Sequence, residues 1–164
     1  MIFYPGGKVE AEAYAILLKG IQDAGIRVFL VEMPFNLAVF DANAAISIME
    51  DNPMIEHWYV GGHSLGGAMA SQFAERNAEK LDGLILLAAY PLNDAMDRVL
   101  ILSGTEDKVV DHRMLDGFEV HWIKGGNHAN FAHYGAQKGD GEALIDKDEQ
   151  IKMTQAWIIE FMNY

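Results

Sequence analysis

The stretch Tyr59-Val60-Gly61-Gly62-His63-Ser64-Leu65-Gly66-Gly67-Ala68-Met69-Ala70 limits the folds open to this chain more than any other. An apolar run leads into Gly62-x-Ser64-x-Gly66, and a run of small residues leads out of it. Read as strand, sharp turn and helix, the pattern puts a serine at the tip of a strained backbone. Glycine two positions before and two after the serine lets strand and helix approach without a Cβ clash. The pattern by itself is common, so its surroundings must decide whether the serine does chemistry.

Elements on either side alternate between strand and helix. Ile2-Phe3-Tyr4 is a short buried-type run ended by the turn signal Pro5-Gly6-Gly7. Over residues 10–24, Tyr14, Leu17, Leu18 and Ile21 fall at i, i+3, i+4 and i+7, which predicts an amphipathic helix stopped by Gly25. A strand is expected over residues 26–31, then a helix over 42–50 capped by Asp41, with Ala42, Ala45, Ile46 and Met49 on one face. Asn52-Pro53 breaks that helix, and residues 57–61 form the strand leading to Ser64. Leu65, Met69 and Phe73 mark one face of the next helix.

Leu84-Ile85-Leu86-Leu87-Ala88-Ala89 is the most continuous apolar run, as a central parallel strand covered on both faces requires. Strands over 99–103 and 118–123 follow, the second alternating and so nearer an edge. A polar loop over 125–147 leads to a closing helix with Ile151, Trp157, Ile158 and Phe161 inward. This order predicts one α/β domain over residues 1–164, a doubly wound, mostly parallel sheet of about six strands flanked by helices.

Charge and composition narrow the function classes. Twelve basic against 24 acidic residues give a net charge of −12, which opposes nucleic acid or an anionic membrane as partner. Without cysteine, disulfides, thiolate zinc sites and cysteine nucleophiles are excluded. No run approaches the ~18–20 apolar residues of a membrane span, and no basic leader precedes an apolar stretch. These features fit a cytoplasmic protein. The glycines around Ser64 match neither a phosphate-binding P-loop nor a dinucleotide fingerprint. His112, His121, His128 and His133 show no recognised metal-ligand spacing, and His57, His63 and His121 read as structural. Neither metal nor other cofactor is expected.

A serine hydroxyl becomes a nucleophile only when a base takes its proton and a third group orients that base. After Ser64, the strand over 99–103 runs into Gly104-Thr105-Glu106-Asp107, and the next strand into Gly125-Gly126-Asn127-His128. Serine, acid and histidine thus follow in an order known for this chemistry, each on a loop beyond a strand's carboxyl end. Glu106 and Asp111 are rival acids, and His133 is a rival base. An attacked carbonyl also needs N–H donors for its developing negative charge. Leu65, after the nucleophile, should supply one, and the loop Pro5-Gly6-Gly7-Lys8 the other, from Gly7 or next from Lys8.

The chain resembles the α/β-hydrolase superfamily, and more closely its small bacterial esterase-like group, α/β-hydrolase family 5. The stretches that carry the resemblance are Ile2-Phe3-Tyr4-Pro5-Gly6-Gly7-Lys8-Val9, Met33-Pro34-Phe35-Asn36-Leu37-Ala38, Gly62-His63-Ser64-Leu65-Gly66-Gly67, Ser103-Gly104-Thr105-Glu106-Asp107 and Gly125-Gly126-Asn127-His128. The resemblance implies Ser64 as nucleophile, Asp107 as acid and His128 as base. It also marks two departures. Members usually have one or two further strands before the Pro5-Gly6-Gly7 loop, whereas this sequence starts at that strand, and residues 90–98 leave no room for a cap, so a lidless cleft is expected.

The expected reaction is hydrolysis of a small-molecule carboxylic ester with a short acyl group. Thioesters, lactones and acyl transfer are alternatives on the same site, and a non-catalytic binding module is the alternative from another class. Phe35, Asn36, Tyr90, Val109, Val110, Phe131 and Tyr134 are candidate walls of the cleft. If upstream strands are missing, Ile2-Phe3-Tyr4 lies near an exposed edge, where a second copy could pair to form a homodimer.

Overall fold

The computed structural model describes residues 1–92 and 96–163. Among these residues, six strands form one parallel sheet: β1 (Ile2–Tyr4), β2 (Phe29–Leu30), β3 (Tyr59–His63), β4 (Gly83–Leu87), β5 (Val99–Gly104) and β6 (Val120–Ile123). Their order is β2-β1-β3-β4-β5-β6, with every neighbouring pair parallel. Among the described residues, the α-helices are α1 (Ala15–Asp23), α2 (Ala44–Asp51), α3 (Leu65–Asn77) and α4 (Lys147–Met162).

The unbroken apolar run of β4 has a direct structural reason. Side chains alternate across a strand, and here both faces are covered. Leu84 and Leu86 join Ile2, Val60, Phe73 and Ile101 in one core, whereas Ile85 and Leu87 join Phe3, Leu17, Ile21 and Ile158 in the other. All five residues of β4 are buried. On α1, the stripe Tyr14, Leu17, Leu18 and Ile21 is buried as its spacing predicts, although the first turn, Ala11–Tyr14, is a 3₁₀ turn. Gly25 follows at φ 90°, the left-handed conformation that ends helices. The closing helix α4 packs on α1, where Gln155 Nε2 donates to the carbonyls of Ile16 and Leu17.

Three expectations need correction. The strand expected over 26–31 pairs only at Phe29–Leu30, because its neighbour β1 offers three residues, with Ile2 opposite Phe29 and Phe3 opposite Leu30. The helix expected from residue 42 starts at Ala44, and Asp41 does not cap it with its side chain. Instead the Asp41 backbone carbonyl accepts from the Ala44 amide at 3.2 Å. Finally, β1 lies inside the sheet between β2 and β3, and Ile2, Phe3 and Tyr4 are 0% exposed. The edges are β2 and β6, so the pairing surface expected on Ile2-Phe3-Tyr4 does not exist.

No cap domain is present among the described residues. The expected lidless segment over 90–98 falls partly outside them, since it includes residues 93–95. No helix among the described residues is long and apolar enough to cross a membrane. Because the strands are all parallel, the loops leaving the carboxyl ends of β1, β3, β4, β5 and β6 gather along one edge of the sheet.

Candidate active site

Between the last residue of β3 and the first of α3, Ser64 adopts φ 53° and ψ −122°, a region that side chains rarely enter. Strand pairing and helix start hold it there. Its amide donates to the Leu87 carbonyl at 2.9 Å, and its carbonyl accepts from the Ala68 amide at 3.0 Å. A Cβ on Gly62 would come within 2.5 Å of the Gly66 carbonyl carbon, and one on Gly66 would collide with the carbonyl oxygens of Tyr4 and Pro5. The two glycines flanking Ser64 are therefore required by backbone-to-backbone approach. A second left-handed residue, Ala88 at φ 47°, follows β4 and lines the same cleft.

Asp107 and His128 meet beside that turn. Asp107 Oδ2 lies 2.9 Å from His128 Nδ1, with both side chains buried. The other carboxylate oxygen accepts from the amides of Val109 at 2.8 Å and Val110 at 3.0 Å, which aims the carboxylate at the ring. A carboxylate can only accept, so Nδ1 carries the proton, and in the neutral ring Nε2 presents its lone pair. His128 Nε2 is buried and has no hydrogen-bond partner among the described residues. The rivals have other partners, although Asp111 lines the same cleft as Ser64 and His128. Glu106 accepts from the Thr105 hydroxyl, Asp111 is clasped by Arg113 at 2.6 Å, and His133 faces Asp148 at 3.8 Å. The hydrogen bonds from Arg113 hold the Asp111 carboxyl down at about 2.

The loop after β1 reaches the same place. A Cβ on Gly7 would sit 2.9 Å from Leu65 Cδ2, so the two residues are close neighbours. Their amides have no acceptor among the described residues. Both flanking amides are committed: Gly6 donates to the Tyr14 hydroxyl oxygen at 2.9 Å, and Lys8 to the Asn36 carbonyl at 2.7 Å. Lys8, the second choice of donor from the sequence, is therefore already occupied.

A cleft of about 410 Å³ opens at this edge, lined by Ser64, Leu65, Ala68, Tyr90, Val109 and His128 among others. Tyr90, Val109 and Val110 thus fall where the sequence suggested. Phe131 does not. It is 0% exposed and packs against the His63 ring at 5.6 Å. Phe35 is 85% exposed, lies outside the cleft, and meets Phe40 edge-on at 5.8 Å. Asn36 and Tyr134 line a separate groove with Lys8 and His133. Phe35 and Asn36 are both left-handed, at φ 55° and 54°.

Sequence reasoning missed the residues that hold the loops. Asp140 accepts from the amides of His128 at 3.2 Å, Ala129 at 2.9 Å and Gly141 at 2.8 Å. Gln150 on α4 exchanges two bonds with the Asn127 backbone, at 3.0 and 2.8 Å. Tyr14 and His63 join the loop after β1 to the His128 carbonyl. The available signal for Asp140 was slight, an aspartate between glycines in Gly139-Asp140-Gly141. Burial, with His128 alongside, holds His63 well below its ordinary pKa, so its imidazole is neutral.

With this geometry in view, comparisons with known proteins agree on the fold. A sequence model of the alpha/beta hydrolase family matches residues 1–152. Among solved structures, a monoacylglycerol lipase from Paleococcus ferrophilus is 15% identical with a TM-score of 0.74, covering 98% of this chain and 93% of that one. A methylesterase from Arabidopsis is 12% identical with a TM-score of 0.68, covering 99% and 98%. A predicted hydrolase from Thermoplasma acidophilum is 14% identical with a TM-score of 0.67, covering 97% and 85%. A search of curated proteins finds no match. The six-stranded parallel sheet, the sharp turn at Ser64 and the family match over nearly the whole chain identify it as a member of the alpha/beta hydrolase family.

Proposed function

We propose that the protein is a serine esterase, hydrolysing short-chain carboxylic esters through an acyl-enzyme on Ser64. The observation that carries this reading is the buried Asp107–His128 pair at 2.9 Å, with His128 lining the cleft that also holds Ser64 and its Nε2 without a partner among the described residues. Its family membership and the lipase and methylesterase among its structural neighbours favour ester chemistry.

In the proposed mechanism, His128 Nε2 takes the Ser64 hydroxyl proton as Oγ attacks the ester carbonyl. Asp107 keeps the proton on Nδ1 and stabilises the imidazolium that forms. The tetrahedral oxyanion is received by the amides of Gly7 and Leu65, each worth roughly 3–4 kcal/mol of barrier. The position of Leu65 at the start of α3 adds the helix dipole to that donor. His128 Nε2–H then protonates the departing alkoxide, leaving the acyl group on Ser64. Water, deprotonated by Nε2, attacks the acyl-enzyme, and collapse of the second oxyanion returns the proton to Ser64. The cleft, of about 410 Å³ and with small side chains at Ala68, Ala88 and Ala89, has room for a short acyl group. No cofactor is needed for any step.

A panel of p-nitrophenyl esters of increasing acyl length tests the reading, alongside fluorophosphonate labelling. We expect turnover that peaks at short chains and labelling that Ser64→Ala abolishes. A wild-type protein that neither turns over any ester nor takes the label would overturn it.

A further inference from the structure

His63, which reads from sequence as a structural histidine, touches more of the site than that role requires. It immediately precedes Ser64, is 1% exposed, and bonds through both ring nitrogens. His63 Nε2 lies 3.1 Å from the His128 carbonyl oxygen, which can only accept. Nε2 must therefore carry the proton, and the neutral ring leaves Nδ1 as an acceptor. Nδ1 lies 2.7 Å from the Tyr14 hydroxyl, which donates to it, and the same hydroxyl oxygen accepts from the Gly6 amide at 2.9 Å. Every bond in the chain has one donor and one acceptor. It runs from Gly6 N–H to Tyr14 O–H to His63, and from His63 Nε2–H to the His128 carbonyl.

We propose that Tyr14 and His63 form a positioning relay that sets the loop after β1 and the loop after β6 against the Ser64 turn. Each end of the relay grips the backbone next to a working group. Gly6 precedes the free Gly7 amide, and the His128 carbonyl belongs to the base itself. No slack is available. A Cβ on Gly6 would lie 2.8 Å from the Tyr14 hydroxyl oxygen and 2.9 Å from His63 Nδ1, and both rings are packed from behind. Phe3 backs Tyr14 at 5.1 Å between centroids, and Phe131 backs His63 at 5.6 Å. The titratable groups facing His63 are Tyr14, His128 and Tyr134, and burial pushes both tyrosine hydroxyls well above their ordinary range. None of these three supplies a charge that would protonate Nδ1.

The relay's catalytic consequence rests on the esterase reading, but its bonds do not, and the test separates the two. Imidazole nitrogen NMR on wild-type protein at neutral pH should find His63 as the neutral Nε2–H tautomer. A charged ring, or a proton on Nδ1, overturns the relay whatever the protein hydrolyses. Tyr14→Phe keeps the ring and removes only the hydroxyl. With p-nitrophenyl butyrate it should lower kcat about tenfold and leave KM within about twofold, since the loss falls on transition-state alignment. His63→Asn, which keeps an acceptor towards Tyr14 but is too short for the His128 carbonyl, should lose at least as much kcat. Undiminished kcat in a folded Tyr14→Phe protein overturns the positioning role. Absence of ester turnover in the wild type would sink the esterase reading and the catalytic role together, while the tautomer still decides whether the relay exists.

Discussion

The turn carrying Ser64 and the loop carrying His128 end in one cleft but are held by different physics. Around Ser64, position comes from exclusion and strand pairing. Gly62 and Gly66 leave no room for a side chain, and the Ser64 amide bonds to Leu87 of the neighbouring strand. Around His128, position comes from polar side chains brought in from elsewhere. Asp107 holds the ring, Asp140 holds the amides of residues 128 and 129, Gln150 holds Asn127, and His63 holds the His128 carbonyl. A sterically built turn should fail by losing the fold, and a loop hung on hydrogen bonds should fail by losing alignment. Substitutions that are conservative in volume can tell these failures apart.

The largest effect is expected on the polar side. Asp107→Asn keeps the volume and an oxygen for the Val109 and Val110 amides, but turns an NH₂ towards His128 Nδ1. The ring must then carry its proton on Nε2, the wrong tautomer for a base. On the esterase reading, kcat should fall by about 10⁴ with the melting temperature little changed. A loss under tenfold would mean that Asp107 does not set the tautomer.

On the steric side, Gly66→Ala adds one methyl against the carbonyl oxygens of Tyr4 and Pro5, which belong to β1 and the loop after it. Neither oxygen is the end of a flexible side chain, so the sheet or α3 must shift. Urea unfolding should report a loss of about 3 kcal/mol or failure to fold. Wild-type stability in this variant would break the claim that exclusion shapes the turn.

Asp140→Asn probes the base loop again, more gently. Either orientation of the amide sets an NH₂ against a backbone donor, at Ala129 or at His128 and Gly141. Stability should drop by about 1–2 kcal/mol and kcat by about tenfold, with KM nearly constant. A variant whose kcat is unchanged while stability falls would demote Asp140 to a fold residue and blur the contrast.

This contrast also explains what could be read in advance. The sheet was legible because strand and helix periodicity are local, and the buried run Leu84-Ile85-Leu86-Leu87 admits few placements. The Ser64 turn was legible because its glycine spacing is written within five consecutive residues, even though Gly66 is also confined by Tyr4 and Pro5, far away in sequence. The supports of His128 were not. Asp140, Gln150 and His63 lie 12, 23 and 65 residues away in sequence from His128, Asn127 and His128, and their types are ordinary for loops and helices. Phe131 and Phe35 misled for a related reason. An aromatic on a loop can face core, solvent or cleft, and only packing decides: Phe131 went beneath His63 and Phe35 into solvent.

The smallest effect distinguishes the neutral relay from an ordinary exposed histidine. In the folded protein the His63 pKa lies well below the ordinary value, chiefly through burial. The unfolded chain titrates near ~6.5 and binds the proton first as pH falls. The stability tied to a neutral His63 is therefore complete above that value and is lost on acidification below it, by up to about 1.4 kcal/mol per pH unit for one proton. His57, raised by its hydrogen bond to Asp82, acts with the opposite sign, but it is present in wild type and variant alike. Thermal unfolding of wild type and His63→Gln between pH 5 and pH 8 (about the range where histidine titrates) should give two curves that converge towards the acid end. Parallel curves would show that His63 keeps an ordinary titration in the fold, and would leave the turn and the base loop joined by packing alone.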